Sequence, residues 1–125
     1  MKIGFIGLGK LGLPCAVAMA MKGHNVMGYD IDENLMNKNP RPYEETGPDG
    51  ISPFNPLLKD SNIKFGTAED IVNHSEIIFI AVQTPHEEKY EGITRLPEER
   101  VDFNYDFLKN AIENLSKTIE KIKKD

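Results

Sequence analysis

The stretch Lys2-Ile-Gly-Phe-Ile-Gly7-Leu-Gly9-Lys-Leu-Gly12 decides the fold, because an apolar strand runs directly into the pattern G-x-G-x-x-G. Each glycine of this pattern has a physical role in binding a dinucleotide. Gly7 permits a tight turn, Gly9 lets the backbone approach a pyrophosphate, and Gly12 lets a helix pack close to the sheet. The pyrophosphate would lie at the N-terminus of that helix, where free N–H groups favour negative charge.

The residues around the glycines favour this interpretation over an ordinary strand–helix turn without a ligand. The strand Lys2–Ile6 precedes them, an apolar helix of about Leu11–Lys22 follows, and Asn25–Tyr29 has the composition of a second strand. Asp30 ends this second strand, close to the spacing of about 20 residues that is typical of a ribose ligand.

A carboxylate at position 30 favours NAD over NADP. It can accept hydrogen bonds from the ribose hydroxyls of NAD, whereas it would repel the 2′-phosphate of NADP. No arginine follows Asp30 within the next ten residues. The alternative is that Asp30 only caps the turn Asp30-Ile-Asp32.

Composition limits the classes of function. A chain of 125 residues fits one domain, and its net charge of −5 argues against nucleic-acid binding driven by phosphate attraction. No apolar run approaches the roughly 20 residues of a membrane span. The start of the chain is a strand rather than a signal peptide, and a single cysteine excludes an internal disulfide. We therefore expect a cytoplasmic protein.

The remaining pattern predicts an α/β fold, a Rossmann-like doubly wound parallel sheet with strand order 3-2-1-4. The continuous apolar run Glu76–Val82 predicts a strand covered on both faces. The stretch from Thr84 to about Phe103 lacks periodicity, so it is either a solvated loop or a lid over the cofactor. The other predicted elements are a helical turn within Asp32–Asn37, a turn-rich loop over Asn39–Gly50, a helix at Phe54–Lys59, a strand at Asn62–Phe65 and a helix at Ala68–Asn73 capped by Thr67.

The last predicted element is an amphipathic helix, after which a doubly wound sheet would normally continue to a fifth strand. We therefore expect residues 1–125 to form an NAD-binding domain truncated after this helix. One side of strand 76–82 would then be an open edge that invites self-association or a partner chain. The apolar face of the helix comprises Leu108, Ala111, Ile112, Leu115, Ile119 and Ile122.

Four segments resemble the N-terminal domain of the UDP-glucose/GDP-mannose 6-dehydrogenase family. They are Gly7-Leu-Gly-Lys-Leu-Gly-Leu-Pro14, Gly28-Tyr-Asp-Ile-Asp32, Pro42-Tyr-Glu-Glu45 and Ala81-Val-Gln-Thr-Pro85, in which Gln83 replaces the first proline of the family's A-V-P-T-P turn. The glycine loop alone also resembles 3-hydroxyisobutyrate dehydrogenases, and the Tyr-Glu loop and the Thr-Pro turn favour the first family.

The resemblance implies which residues contact the cofactor. Gly7 to Gly12 would bind the pyrophosphate, Asp30 the adenosine ribose, and Thr84 would approach the nicotinamide half. Two positions depart from the family: Leu35 stands where a Lys or Arg is frequent, and Tyr43-Glu44 differs in detail from P-I-Y-E-P-G-L. The full set of expected cofactor-binding residues is Gly7, Leu8, Gly9, Lys10, Leu11, Gly12, Asp30, Ile31, Ala81, Val82 and Thr84.

The resemblance also implies an activity, the NAD-dependent oxidation of a sugar 6-hydroxyl to a carboxylate through a cysteine-bound intermediate. The cysteine and lysine that do this chemistry belong to a later domain of the family, so we expect no catalytic residue in this chain. Cys15 is better interpreted as a small packed hydrophobe. The histidines His24, His74 and His86 show no metal-ligand spacing and are not expected to be catalytic.

Two further hypotheses stay open at this point. The chain could be a stand-alone module that binds NAD(H) or a partner without enzyme activity. It could also be the N-terminal part of a 3-hydroxyisobutyrate-type dehydrogenase. The substrate residues of such a dehydrogenase, like those of a nucleotide-sugar dehydrogenase, would lie beyond Asp125.

Overall fold

The fold is a four-stranded parallel sheet, seen in a computed structural model that describes residues 1–41, 54–83 and 105–124. The strands are β1 (Lys2–Ile6), β2 (Asn25–Tyr29), β3 (Lys64–Phe65) and β4 (Ile77–Ile80). They are arranged in the order β3-β2-β1-β4, and every neighbouring pair is parallel. The predicted fold class and strand order are confirmed.

Four α-helices connect or follow the strands: α1 (Gly12–Met21), α2 (Phe54–Asp60), α3 (Ala68–His74) and α4 (Asp106–Lys124). A short 3-10 turn at Glu33–Leu35 follows β2, as the sequence predicts. No helix in the described ranges is long and apolar enough to cross a membrane. The predicted loops over Asn39–Gly50 and Thr84–Phe103 lie largely or wholly outside the described residues.

The main core lies between α1, α2 and one side of β1 and β2. Helix α1 is rich in Ala and Met, which are good helix formers. Gly23 ends it with a positive φ of 94°, which favours glycine, and donates its N–H to Ala20 O at 3.0 Å. The side chains of Leu8, Leu13 and Leu58 are completely buried in this core. Burial of each contributes about 1.5–3 kcal/mol.

Helix α3 covers the opposite side of β1 and begins with a capping box. The Thr67 hydroxyl accepts the N–H of Asp70 at 3.1 Å, and the Asp70 carboxylate accepts the N–H of Thr67 at 2.9 Å. The predicted Thr67 cap is confirmed. Ile71 of α3 is fully buried and would contact a methyl group added at Gly4 of β1, so the helix sits close to the sheet.

Strand β4 corrects one prediction. It is shorter than the predicted Glu76–Val82, and it is not covered on both faces, because Ile77 and Phe79 are 44% and 40% exposed. Both residues lie on the α1 side of the sheet, beside Ile3 and Phe5. Helix α1 packs over β1 and β2, and no described helix covers β4 on that side.

The predicted apolar face of α4 is largely confirmed. The helix packs against α3, and five of its six predicted face residues are half-buried. Ile112 is the exception, since 47% of its surface is exposed. Lys121 of α4 and Glu69 of α3 form an ion pair at 3.6 Å, which contributes little because both side chains are mostly exposed.

Candidate nucleotide-binding site

The turn after β1 requires glycine at position 7. Gly7 has a φ of 103°, a conformation that side chains with a Cβ rarely adopt. A Cβ at this position would also collide with the carbonyl oxygen of Ala81, just after β4. The N–H of Gly7 donates to Tyr29 O at 2.9 Å, which joins the turn to the end of β2.

The other two glycines differ in what surrounds them. A Cβ at Gly12 would collide with the carbonyl oxygen of Gly7, so α1 can begin this close to the turn only with glycine. A Cβ at Gly9 would have no atom within 4 Å and would project into open space. Gly9 is therefore not needed for packing, which is the pattern expected where a ligand approaches the backbone.

The N-terminus of α1 has unsatisfied N–H groups. Leu11 at the N-cap makes no side-chain cap hydrogen bond, and the first turn carries no acidic residue. In the described part of the chain, no protein group accepts the N–H of Gly9, Leu11 or Gly12. An anion placed there would gain hydrogen bonds and a favourable interaction with the helix dipole.

The Asp30 carboxylate lies at the end of β2, next to this helix terminus. Its Oδ1 accepts the N–H of Asp32 at 2.9 Å, so Asp30 does cap the turn that follows. Its Oδ2 accepts the N–H of Leu8 at 2.8 Å, a contact that the sequence analysis missed. A carboxylate has about four acceptor positions, so both hydrogen bonds leave room for ribose hydroxyls.

A cleft of about 200 Å³ opens at the carboxyl ends of the strands, beside Gly7 and Asp30. The sheet order reverses between β1 and β4, and such a switch point is where α/β sheets bind ligands. The volume is below that of pockets for whole drug-sized ligands and suits one part of a dinucleotide. The cleft is mainly apolar and is lined by Ile6, Gly7, Tyr29, Asp30, Ile31, Ala68, Val82, Phe107, Asn110, Ala111, Asn114 and Leu115.

The structure brings several predicted site residues together. The same cleft is lined by four of them: Gly7, Asp30, Ile31 and Val82. Ala81 lies directly beneath the turn, and its N–H donates to Ile6 O at 2.7 Å. Thr84, His86 and the Tyr43-Glu44 segment lie outside the described residues.

Sequence reasoning missed the contribution of α4 to this cleft. Phe107, Asn110, Ala111 and Asn114 form its outer wall. Ala111 belongs to the apolar helix face that the sequence identifies, and the two asparagines border that face. The pattern indicates which face packs inward, but it does not indicate which end of the sheet the helix reaches.

Arg41, the first arginine after β2, is not placed to receive a 2′-phosphate. Leu35, where the family often has a cation, packs against the core. Arg41 is only 6% exposed, and its guanidinium donates to the carbonyl oxygens of Leu35, Asn37 and Asn39. No feature of the sequence indicates this burial, and it removes Arg41 from any role beside Asp30.

Cys15 and His74 lie in surroundings that suit packing and structural roles. Cys15 is a half-buried free thiol packed against the core, which confirms its interpretation as a packing residue. The ring Nε2 of His74 lies 3.0 Å from Asn25 O, at the end of the sheet opposite the cleft. Among the described residues, no cluster of three or more His, Cys, Asp or Glu side chains could hold a metal ion.

Comparison with known proteins places this site in context. Residues 1–124 match the sequence model of a protein family, described as the UDP-glucose/GDP-mannose dehydrogenase family, NAD binding domain. The chain is 34% identical over 106 residues to a UDP-glucose 6-dehydrogenase of Rickettsia bellii, covering 82% of this chain and 24% of that protein. It is 31% identical over 86 residues to a UDP-N-acetyl-D-mannosamine dehydrogenase of Pyrococcus horikoshii, covering 68% and 21%.

Solved structures show the same fold. A GDP-mannose dehydrogenase of Pseudomonas aeruginosa superposes with a TM-score of 0.69 at 24% identity, over 92% of this chain and 24% of that one. A UDP-glucose dehydrogenase of Pyrobaculum islandicum gives a TM-score of 0.69 at 24% identity, over 95% and 26%. The chain thus spans about a quarter or less of the length of these relatives.

Proposed function

This chain belongs to the UDP-glucose/GDP-mannose dehydrogenase family, whose NAD-binding domain it spans, and we propose that it supplies the NAD site for oxidation of a nucleotide sugar. Bound NAD would accept a hydride from the sugar CH–OH. The residues of this chain would bind and orient the cofactor. Residues 1–125 would act as one NAD-binding unit, and the groups that bind and oxidise the sugar would lie outside it.

The observation that carries this proposal is the meeting of three complementary features at one place. The free N–H groups of Gly9, Leu11 and Gly12 suit a pyrophosphate, and the Asp30 carboxylate beside them suits ribose hydroxyls. The apolar cleft suits the adenine ring, because it adjoins the glycine turn and Asp30 and is lined in part by Ile31 and Val82. Leu8, Lys10 and Ala81 would support the pyrophosphate turn, and Thr84 would face the nicotinamide.

The charge distribution supports NAD over NADP. The Asp30 carboxylate would repel a 2′-phosphate, and the buried guanidinium of Arg41 is directed to backbone carbonyl groups. We expect NADP to bind at least tenfold more weakly than NAD, which corresponds to roughly 1.4 kcal/mol. Calorimetric titration of the chain with each cofactor measures this ratio, and equal affinities would contradict the assignment.

The variant Gly9→Ala tests the pyrophosphate site directly. The added methyl group meets no protein atom within 4 Å, so stability should change little. Gly9 itself carries one of the free N–H groups, so the methyl group should hinder a pyrophosphate bound there and NAD affinity should fall roughly tenfold or more. Unchanged NAD binding in a folded Gly9→Ala chain would argue against this site.

Gly23→Ala is the matched control, since its Cβ also projects into open space but lies at the far end of α1. Its φ of 94° is strained for alanine, so unfolding should become easier by about 1–2 kcal/mol. NAD affinity should stay at the wild-type value. The two variants therefore separate loss of cofactor binding from loss of stability.

The proposal also makes a prediction about the activity of this chain alone. The 125-residue chain alone should form no NADH from NAD with UDP-glucose or GDP-mannose, because the proposed site holds no group that reacts with the sugar. NADH formation is followed by absorbance. Turnover by the purified chain would show that it contains catalytic residues that we place elsewhere.

We also propose that the protein is cytoplasmic, where the free thiol of Cys15 would stay reduced. A separate proposal is that copies of the chain associate through β4. The exposed apolar side chains of Ile77 and Phe79 at this outer strand support association. Light scattering after size exclusion should show a mass above the monomer, and Ile77→Lys should reduce it to the monomer. Met21→Lys, which changes an exposed apolar residue of α1, is the control.

A further inference from the structure

The glycine turn is fastened to the end of β2 by two consecutive N–H groups. The N–H of Gly7 donates to the backbone oxygen of Tyr29 at 2.9 Å, and the N–H of Leu8 donates to Asp30 Oδ2 at 2.8 Å. Asp30 Oδ1 accepts the N–H of Asp32 at 2.9 Å. One carboxylate thus joins the turn after β2 to the glycine turn, and its hydrogen bond to Leu8 spans 22 positions of the chain.

We propose that Asp30 is a positioning residue that holds the glycine turn ready for a pyrophosphate, in addition to binding the ribose. The proposal rests on the NAD site proposed above. It assigns to the carboxylate a role that exists before any cofactor arrives. Affinity for the phosphate part of a ligand should therefore depend on Asp30 even when the ligand lacks ribose hydroxyls.

The surroundings of Leu8 explain why a single hydrogen bond can fix the turn. Its side chain is fully buried, and its Cδ atoms approach the backbone of Gly28 so closely that a Cβ there would lie 2.8 Å from Cδ2. The core therefore fixes the side chain of Leu8, and Asp30 fixes its N–H. The next residue is Gly9, whose N–H is the first free one of the proposed pyrophosphate site.

Loss of this hydrogen bond should lower the affinity for a pyrophosphate, because it changes the conformations of the glycine turn in the ligand-free protein. Without the carboxylate, the turn would populate other conformations, which glycine makes accessible. The apparent affinity then falls in proportion to the fraction of molecules that hold the competent turn. A residue that only contacts the ribose would have no such effect.

The variant Asp30→Asn tests this inference, because an amide has the same shape but only one acceptor oxygen. Its NH₂ group cannot accept an N–H, so Leu8 or Asp32 loses its partner. Asp32→Asn is the matched control. It removes the same charge two residues away, where the side chain accepts the N–H of Asn34 and does not touch the glycine turn.

The probes are ADP and 2′,3′-dideoxy-ADP, which has the adenine and the pyrophosphate but neither ribose hydroxyl. Calorimetry should show that Asp30→Asn weakens binding of dideoxy-ADP roughly tenfold, the loss expected for one hydrogen bond to a charged group. Asp32→Asn should leave it within about twofold, since that charge is solvent-exposed. Dideoxy-ADP affinity that is the same in both variants would overturn the proposal, because Asp30 would then act only through the ribose.

Amide hydrogen exchange of Leu8 in the ligand-free chain provides a second measurement. Its N–H should be protected in the wild type and in Asp32→Asn and should exchange faster in Asp30→Asn. Unchanged protection in Asp30→Asn would also overturn the proposal. If Asp30→Asn does not fold, Asp30→Glu retains the charge while displacing the oxygens, and the same two readouts apply.

Failure of the proposed function would look different. A wild-type chain with a protected Leu8 N–H that binds neither ADP nor dideoxy-ADP would overturn both the NAD site and the positioning role. The intact protection would show that the hydrogen bond itself exists. Binding of both probes with an unprotected Leu8 N–H would overturn the positioning role alone.

Discussion

Phe5 and Phe79 are partners in one stacked pair, yet they lie in very different surroundings. Their ring centroids are 5.2 Å apart and the planes differ by 19°. Phe5 on β1 is 2% exposed, whereas Phe79 on β4 is 40% exposed. Helix α1 covers the first ring, and no described helix covers the second. Coverage by a helix, and not strand composition, therefore decides which part of this sheet belongs to the core.

The cause is the direction of the chain crossovers. The connection from β1 to β2 places α1 on one side of the sheet, and the connection from β3 to β4 runs the opposite way across the sheet. Right-handed crossovers in opposite directions put their helices on opposite sides. Helix α3 therefore lies behind β1, and the α1 side of β4 receives no helix from this crossover.

Truncation of each ring in turn should produce very different losses of stability. Phe5→Ala should lower the free energy of unfolding by about 3–5 kcal/mol, because it opens a cavity in the packed core. Phe79→Ala should cost less than half as much, since its ring already contacts solvent. Urea unfolding of both variants measures the difference. Equal costs would mean that the β4 side is as well packed as the β1 side.

The opposite face of β1 should also be intolerant of change, to a smaller extent and of added rather than removed atoms. A methyl group at Gly4 would collide with the Ser75 hydroxyl and would lie 2.8 Å from Ile71 Cγ2. Gly4→Ala should therefore cost about 1–3 kcal/mol by overpacking. Thermal unfolding would reveal it. If Gly4→Ala matches the wild type, then α3 is not held tightly against the sheet, and the contrast between the two sides of β1 weakens.

Much of this arrangement follows from the sequence, and the exceptions share a physical cause. The bounds of β1 and β2, the Thr67 capping box and the strand order depend on local pattern and on crossover handedness, so they could be predicted. Exposure of Phe79 depends on where distant helices pack. An apolar run shows that a strand can be buried, and it does not show what covers it.

The features of the candidate site also divide into those that the sequence could predict and those that it could not. The glycines and Asp30 follow a spacing that reflects their local geometry, so sequence alone identifies them. The hydrogen bond between Leu8 and Asp30, the burial of Arg41 and the wall formed by α4 are contacts between separate segments. No periodicity in the chain encodes such contacts.

A smaller effect, with the opposite sign, is expected at Ser75, which faces Gly4. Its hydroxyl is buried and has no hydrogen-bond partner, which is unfavourable for a polar group. Ser75→Ala should leave stability unchanged or raise it by up to about 1 kcal/mol. Urea unfolding of Ser75→Ala and of the wild type measures the difference. If the free energy of unfolding falls with urea at the same slope in both, a shift in the midpoint is a change in stability. A clear loss of stability would mean that the hydroxyl does have a partner, and that the α3 side of β1 relies on polar contacts as well as on packing.

The smallest expected effect is a pH dependence at the start of α3, the helix that closes this side of β1. The backbone N–H of Thr67, and then its hydroxyl, hold the pKa of Asp70 below its ordinary value of 3.8. A carboxyl whose pKa is lower in the folded state stabilises the fold above its unfolded pKa, and this contribution is lost as the pH falls through the folded value. The wild type should therefore lose stability relative to Asp70→Asn as the pH is lowered through and below about 3.8. Thermal unfolding of both chains across this range measures the difference, with Glu69→Gln as a control for a neighbouring carboxylate. If the gap between wild type and Asp70→Asn does not narrow on acidification, the Asp70 carboxylate does not stabilise the start of α3, and α3 is held against β1 by packing.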